Sequence, residues 1–332
     1  MKRTLCLINL ALLLVVIPSC GPGGGEPAGD SAKRTFLSIG TAPPGGAFFV
    51  VGGAIGQVLN ENRGDSNWEV TAEATKGSQE NIRRLLRGEL DLALSNSAIS
   101  YFATRGEGWD QEYPVRTVMT LAPNIALFVT QEGSGIRTIS DLRGKRVVLG
   151  PAGAGFHFFL RPLLEAHGVT YDDLTELNGT QSGAVNLLAD GSAAAAFLGG
   201  AVPTASITQA SSSQDIFFVP FTDEAIEKVT SQYLFFRRGS IPAGTYRGQE
   251  EDFHGLDVGS MHLITSADQS EELIYELTKT IYENRDKVTQ KHAAGRAINP
   301  GNVVRDSGTE FHPGAVRYYR EIGICPEPEA SR

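Results

Sequence analysis

Three glycine-rich turns hold the residues best suited to chemistry: Gly45-Gly46-Ala47-Phe48-Phe49, Gly77-Ser78 with Asn81, and Gly153-Ala154-Gly155-Phe156. Each sits between a β-prone run and a helical pattern. Glycine lets backbone approach a ligand closely, and the unpaired N–H groups of a helix start favour negative charge. Three helix starts of this kind are able to face one carboxylate-bearing ligand. Asn96 and Ser97 end a further strand ahead of a helix, and Gly199, Gly200 and Pro203 follow the apolar run Ala194 to Leu198. Strand ends of this sort are favoured ligand positions in open α/β sheets. Purely structural roles fit several of the same residues: Ser78 as an N-cap, Asn81 as a brace for the next loop, Asn96 and Ser97 as a cap, Gly199 to Pro203 as a turn.

Catalytic readings of the same chain fail on spacing. The turn Gly150 to Gly155 does not complete G-x-G-x-x-G, because Phe158 occupies the last position, and no Lys-Ser or Lys-Thr follows to make a P-loop. Ser182 in Gly179-Thr180-Gln181-Ser182-Gly183 is one residue out of register for a G-x-S-x-G elbow. The histidines at 157, 167, 254, 262, 292 and 312 form no H-E-x-x-H pair and sit beside no Cys or carboxylate cluster at metal-ligand spacing. The expectation is a protein without catalytic residues, metal or cofactor.

The elements that must position the turns follow from hydrophobic periodicity. Strands are expected at Thr35–Thr41, Trp68–Thr75, Asp91–Ser95 and Val115–Ala122, with helices at Gly46–Asn62 and Ser78–Arg87. The grammar restarts with a strand at Lys145–Leu149, a helix from Phe156 to His167, another from Gln181 to Ala189, and strands at Ala194–Leu198 and Ile216–Phe221. Two β-prone runs, Ile125–Thr130 and Leu256–Thr265, are placed to carry the chain out of the first α/β unit and back, where Ser270–Lys287 reads as one long helix. The fold class is α/β, two units joined by two crossings. A hinge between such lobes supplies a cleft.

The ends and the charge bound the setting. Lys2 and Arg3 precede the apolar stretch Leu10–Ile17, which has the form of an export signal and is too short to span a bilayer. Ile17-Pro18-Ser19-Cys20 resembles a lipobox, which makes Cys20 the expected lipidation site. Residues 21 to 32 include seven Gly or Pro and read as a flexible tether. Of the three cysteines only Cys325 would then be left in the mature chain, so no disulfide framework or Cys-based metal site is expected. Net charge is -9, and -11 once Lys2 and Arg3 leave with the signal. An acidic chain without basic runs is a poor nucleic-acid partner. The boundaries read as a signal at 1–19, anchor and tether at 20–34, lobe I at 35–126 and 260–332, and lobe II at 127–259.

Nearly the whole mature chain resembles the TAXI family, the TRAP-associated extracytoplasmic immunogenic solute receptors. The resemblance rests on Ile39-Gly40-Thr41, Gly45 to Phe49, Thr75-Lys76-Gly77-Ser78 with Asn81, and Gly88-Glu89-Leu90-Asp91-Leu92. It continues through Asp141 to Val147, Gly150 to Gly155, Gly199 to Pro203, Ile241 to Tyr246, and His312-Pro313-Gly314-Ala315 with Tyr318-Tyr319. It implies a type II, two-lobed "Venus flytrap" periplasmic binding protein, held outside the cytoplasm by its lipid anchor. Such a receptor takes a small organic anion, a carboxylate or amino acid, and delivers it to the membrane subunits of a TRAP transporter. The ligand contacts so implied are Thr41, Gly45, Gly46, Phe48, Phe49, Ser78, Asn81, Asn96, Ser97, Gly153, Ala154, Gly155, Phe156, Gly199, Gly200 and Pro203. Phe48-Phe49 stand where the family commonly has Tyr-Tyr, and Ala154 and Phe156 stand where it has Ser and Thr. Up to four hydroxyls are thereby lost, which points to a ligand less polar than glutamate. The alternative use of the same architecture is a sensing module that reports ligand to a signalling partner.

Overall fold

A computed structural model of the chain describes residues 35–44 and 46–324. The signal, Cys20, the tether, Gly45 and Cys325 lie outside the described residues. In chain order the strands are β1 (Thr35–Gly40), β2 (Trp68–Glu73), β3 (Leu92–Asn96), β4 (Val115–Thr120), β5 (Ile125–Gln131), β6 (Arg146–Gly150), β7 (Thr175–Asn178), β8 (Ala195–Gly200), β9 (Ile216–Val219), β10 (Phe236–Ile241), β11 (Phe253–Val258) and β12 (Met261–Ser266). The principal helices are α1 (Ala47–Glu61), α2 (Ser78–Leu86), α3 (Ser97–Thr104), α4 (His157–Ala166), α5 (Gln181–Ala189), α6 (Ala205–Ser213), α7 (Asp223–Gln232), α8 (Glu271–Glu283), α9 (Arg285–Lys291), α10 (Pro300–Val303) and α11 (Pro313–Glu321).

Two sheets organise these elements within one compact unit. The first has the order β2-β1-β3-β12-β4, and the second runs β10-β11-β5-β8-β6-β7 with β9 also paired to β5. In the first, β1 runs parallel to β2 and β3, while β12 is antiparallel to β3 and β4. This is the two-sheet α/β architecture of a type II periplasmic binding protein. Periodicity explains the helices that cover the first sheet: α1 buries Val51, Ala54, Ile55, Val58 and Leu59, one stripe at helical spacing. From α11, Tyr318 and Tyr319 are sealed in the same core.

The chain passes between the sheets twice, after β4 and after β11. The two passages lie side by side: Val258 N donates to Asn124 O at 3.0 Å, Met261 N to Ala122 O at 2.9 Å, and Leu121 N to Met261 O at 2.8 Å. Asp257 fastens them further, accepting from Asn124 N at 2.9 Å and from the Ser260 hydroxyl at 2.6 Å. The expected single run Leu256–Thr265 is therefore two strands. Gly259, at φ +110°, breaks it, and a Cβ there would collide with the Asn96 side chain. The expected helix Ser270–Lys287 is also divided, because the Asn284 side chain donates to Thr280 O at 3.0 Å in competition with the backbone ladder. The elements β7, β10, α6, α7, α10 and α11 were not expected from the sequence.

Candidate functional site

Between the two sheets lies a cavity of about 110 Å³, against the ~10–15 Å³ that one water needs. It admits a small organic molecule. Five helix starts line it: Gly46, Ala47 and Phe48 of α1, Gly77 and Ser78 of α2, Asn96 ahead of α3, Ala154 and Phe156 ahead of α4, and Thr180, Gln181 and Ser182 of α5. The starts of α1, α2 and α4 carry no side-chain cap, whereas Asn96 and Thr180 cap α3 and α5. The positive ends of the helix dipoles thus converge on one space, with first-turn N–H groups of α1 and α2 that no side chain caps, whereas at α4 Phe158 N and Phe159 N donate to Gly155 O and Phe156 O.

The local chemistry of each turn is specific. The Thr75 hydroxyl donates to Thr41 O at 3.0 Å and accepts from Gly77 N at 3.1 Å, which pins the loop into α2. Ser78 Oγ accepts from Asn96 N at 3.0 Å, joining α2 to the start of α3 and leaving its own proton to donate. Asn96 is spent: it accepts from Ala98 N, and its amide donates to Val258 O and Gly259 O across the second passage. Gln181 behaves as a short strand neighbour, donating to Gly199 O at 2.7 Å and accepting from Gly199 N at 3.2 Å. Lys76 is exposed at the rim with no carboxylate in ion-pair range among the described residues, and Asn124 offers a side-chain amide without a partner among them. The lining residues include no Asp or Glu.

Of the residues expected at the site, Gly46, Phe48, Ser78, Asn96, Ala154, Phe156, Gly199 and Gly200 line the cavity. Thr41, Phe49, Asn81, Ser97, Gly153, Gly155 and Pro203 do not, and each has a physical reason to be elsewhere. Thr41 is buried, with its hydroxyl on Glu73 O at 2.7 Å. Phe49 follows Phe48 by a hundred-degree turn of the helix and faces outward, 36% exposed. Asn81 is a brace, donating to Thr41 O at 2.7 Å and Leu94 O at 2.8 Å. Ser97 N donates to Ser260 O at 2.9 Å, which ties α3 to the second passage. Gly153 is exposed beyond the rim. Gly155 packs on Ile99 and Gln79, where an added Cβ would sit 3.1 Å and 3.3 Å from them. Pro203 shapes the turn into α6.

Lys76, Asn124, Thr180, Gln181 and Ser182 line the cavity without having been expected there. Gly179-Thr180 after a polar strand was the available signal, but β7 (Thr-Glu-Leu-Asn) lacks the apolar pattern that would have exposed it.

One serine–histidine pair is present, Ser100 Oγ to His262 Nε2 at 2.8 Å. It lies beneath α3 with both residues at 0% exposure, and burial pushes the imidazole down to about 3. A neutral, sealed imidazole of this kind is a core bridge. Among the described residues no group of three His, Cys, Asp or Glu is placed to hold a metal, and no helix is long and apolar enough to cross a membrane.

Comparison with known proteins agrees with this architecture. The sequence model of the NMT1-like family matches residues 39–323. A solved structure from Bordetella bronchiseptica RB50 superposes with a TM-score of 0.55 at 13% identity, covering 86% of this chain and 89% of that one. PhnD1 from Prochlorococcus marinus (MIT 9301), solved in complex with methylphosphonate, superposes at 0.53 with 12% identity over 79% and 90% of the two chains. At these identities the likeness is one of fold.

Proposed function

This chain belongs to the NMT1-like family, and on that premise we propose that it is an extracytoplasmic solute-binding receptor. It captures a small organic anion between its two sheets and passes it to a membrane transporter, of the TRAP type that the TAXI resemblance implies. Lobe I is residues 35–126 and 260–332, lobe II is 127–259, and the paired passages between the sheets are the hinge. The observation that carries the reading is the cavity itself: five helix starts from both sheets meet there, three of them uncapped, with Lys76 on the rim and no carboxylate among the lining residues. Helix starts so arranged favour negative charge. The proposed contacts are the lining residues of the three turns together with Lys76 and Asn124.

A thermal-shift screen of organic acids tests the proposal, because binding to the native state raises the melting temperature. The receptor reading expects a saturable rise with at least one small anion, and that ligand should stabilise a closed form visible as a smaller radius of gyration in small-angle scattering. A broad acid library without a single saturable shift would refute it. Membrane attachment is proposed to run through an acyl group on Cys20. Cys20→Ala should move the protein from the membrane fraction to the soluble fraction with its melting temperature unchanged, and retention in the membrane would exclude that anchor.

A further inference from the structure

The distribution of polarity inside the cavity narrows the ligand, on the premise that the cavity is the solute site. We infer that the ligand is an organic acid with one anionic head, an apolar body and no ammonium group. Three observations carry this.

First, the backbone and charged groups left to bind are donors: the first-turn N–H groups of α1 and α2, which no side chain caps, the Ser78 hydroxyl, which is 5% exposed and has its acceptor side occupied by Asn96 N, and the Lys76 ammonium. Second, no charged acceptor lines the cavity, and the side-chain acceptors left over, on Asn124 and Ser182, are neutral. The lining contains no Asp or Glu, the Asn96 carbonyl oxygen is taken by Ala98 N, and the Gln181 carbonyl oxygen is shared between Gly199 N and the Ser206 hydroxyl at 2.6 Å. A desolvated ammonium would meet no counter-charge here, which is unfavourable. Third, the rest of the wall is hydrocarbon: Phe48, Phe156, Phe197, Pro43, Pro151 and Ala126. Phe156 is held there by Gly150, whose φ of +130° leaves the space its ring fills, and by Phe159 at 5.1 Å between centroids. Such a wall would strip water from a second carboxylate without replacing its hydrogen bonds.

Together these features select against α-amino acids on one count and against dicarboxylates on the other. Calorimetric titration of the whole protein with three acids of shared chemistry separates the two counts: 3-phenylpropanoate, its amino twin phenylalanine, and glutarate. The expected result is that 3-phenylpropanoate binds at least tenfold tighter than either of the others. Any other order, a margin under tenfold, or no binding by all three overturns the inference. A thermal shift with phenylalanine or glutarate alone would overturn it while leaving the receptor reading in place. The receptor reading itself falls only if the wider acid library is silent.

Discussion

The two sheets of this protein meet in two ways, and the contrast separates what holds the molecule together from what recognises a ligand. On one side is the cavity, where glycine, alanine, serine and the half-buried Phe48 and Phe156 line the wall at helix starts. On the other is an aromatic seam, in which Tyr101 and Phe102 of α3 and Trp109 meet Phe158 of α4 and the pair Tyr233 and Phe235 ahead of β10. Trp109 stacks on Phe158 at 5.3 Å and 13°, Phe102 on Phe158 at 5.6 Å, and Tyr101 meets Phe235 at 5.2 Å. Arg83 covers the outer face of Trp109 and Arg105 that of Tyr101. Large rings packed face to face and edge to face fill their space and leave little room for a ligand. Small residues at helix starts leave space and unpaired donors. Helix α3 belongs to both regions, with its cap in the cavity and Phe102 in the seam.

The largest expected effect lies in the seam. Phe102→Ala should lower unfolding free energy by about 3–5 kcal/mol, the usual cost of emptying a close-packed aromatic site, while Phe156→Ala in the cavity wall should cost only about 1–2 kcal/mol, because its ring is half-buried. Urea denaturation of both variants measures the difference, and equal losses would erase the distinction between the regions.

Next is the support under α3. Burial lowers the His262 imidazole from 6.5 to about 3, so between those values the unfolded chain binds a proton that the folded chain refuses. Stability from this site is complete above about pH 6.5 and falls as pH drops, at up to about 1.4 kcal/mol per unit, or about 3 kcal/mol by pH 4. A series of urea melts from pH 7 to pH 4 should show this slope, and His262→Leu should flatten its share. An unchanged slope in that variant would remove His262 as the cause.

The smallest effect concerns the rim. Lys76→Ala should weaken binding of the best anion about fivefold, about 1 kcal/mol, since the ammonium is exposed. Stability should hold within about 0.5 kcal/mol. The wild-type affinity, but not that of the variant, should fall clearly between low and moderate salt. Full retention of affinity in the variant would leave the helix starts as the whole of the anion site.

Much of this architecture was legible in the chain. The Val51, Ala54, Ile55, Val58 and Leu59 stripe announces α1, the glycines after β1, β2 and β6 mark turns into helices, and the passages between the sheets were readable as β-prone runs. The limits are equally specific. Nothing local tells Phe48 from Phe49, since the two differ only by a hundred-degree rotation whose phase is set by packing on the first sheet. Asn81 in the first turns of α2 and Asn96 at the end of β3 have the same chemistry and both spend their amides on backbone carbonyls, yet only Asn96 lines the cavity.

Local sequence settles what is carried within a few residues: periodicity selects helix or strand, glycine permits the positive-φ turns, and a helix start exposes its N–H groups wherever it is placed. Which of those starts share one space is a matter of long-range contacts. Lys76, Asn124 and Gln181 are each separated by about fifty residues or more from the next, and no spacing rule relates them. They meet because two sheets, linked by two adjacent passages, bring the carboxyl ends of their strands face to face. Burial then decides which polar groups are consumed by backbone and which are left to bind.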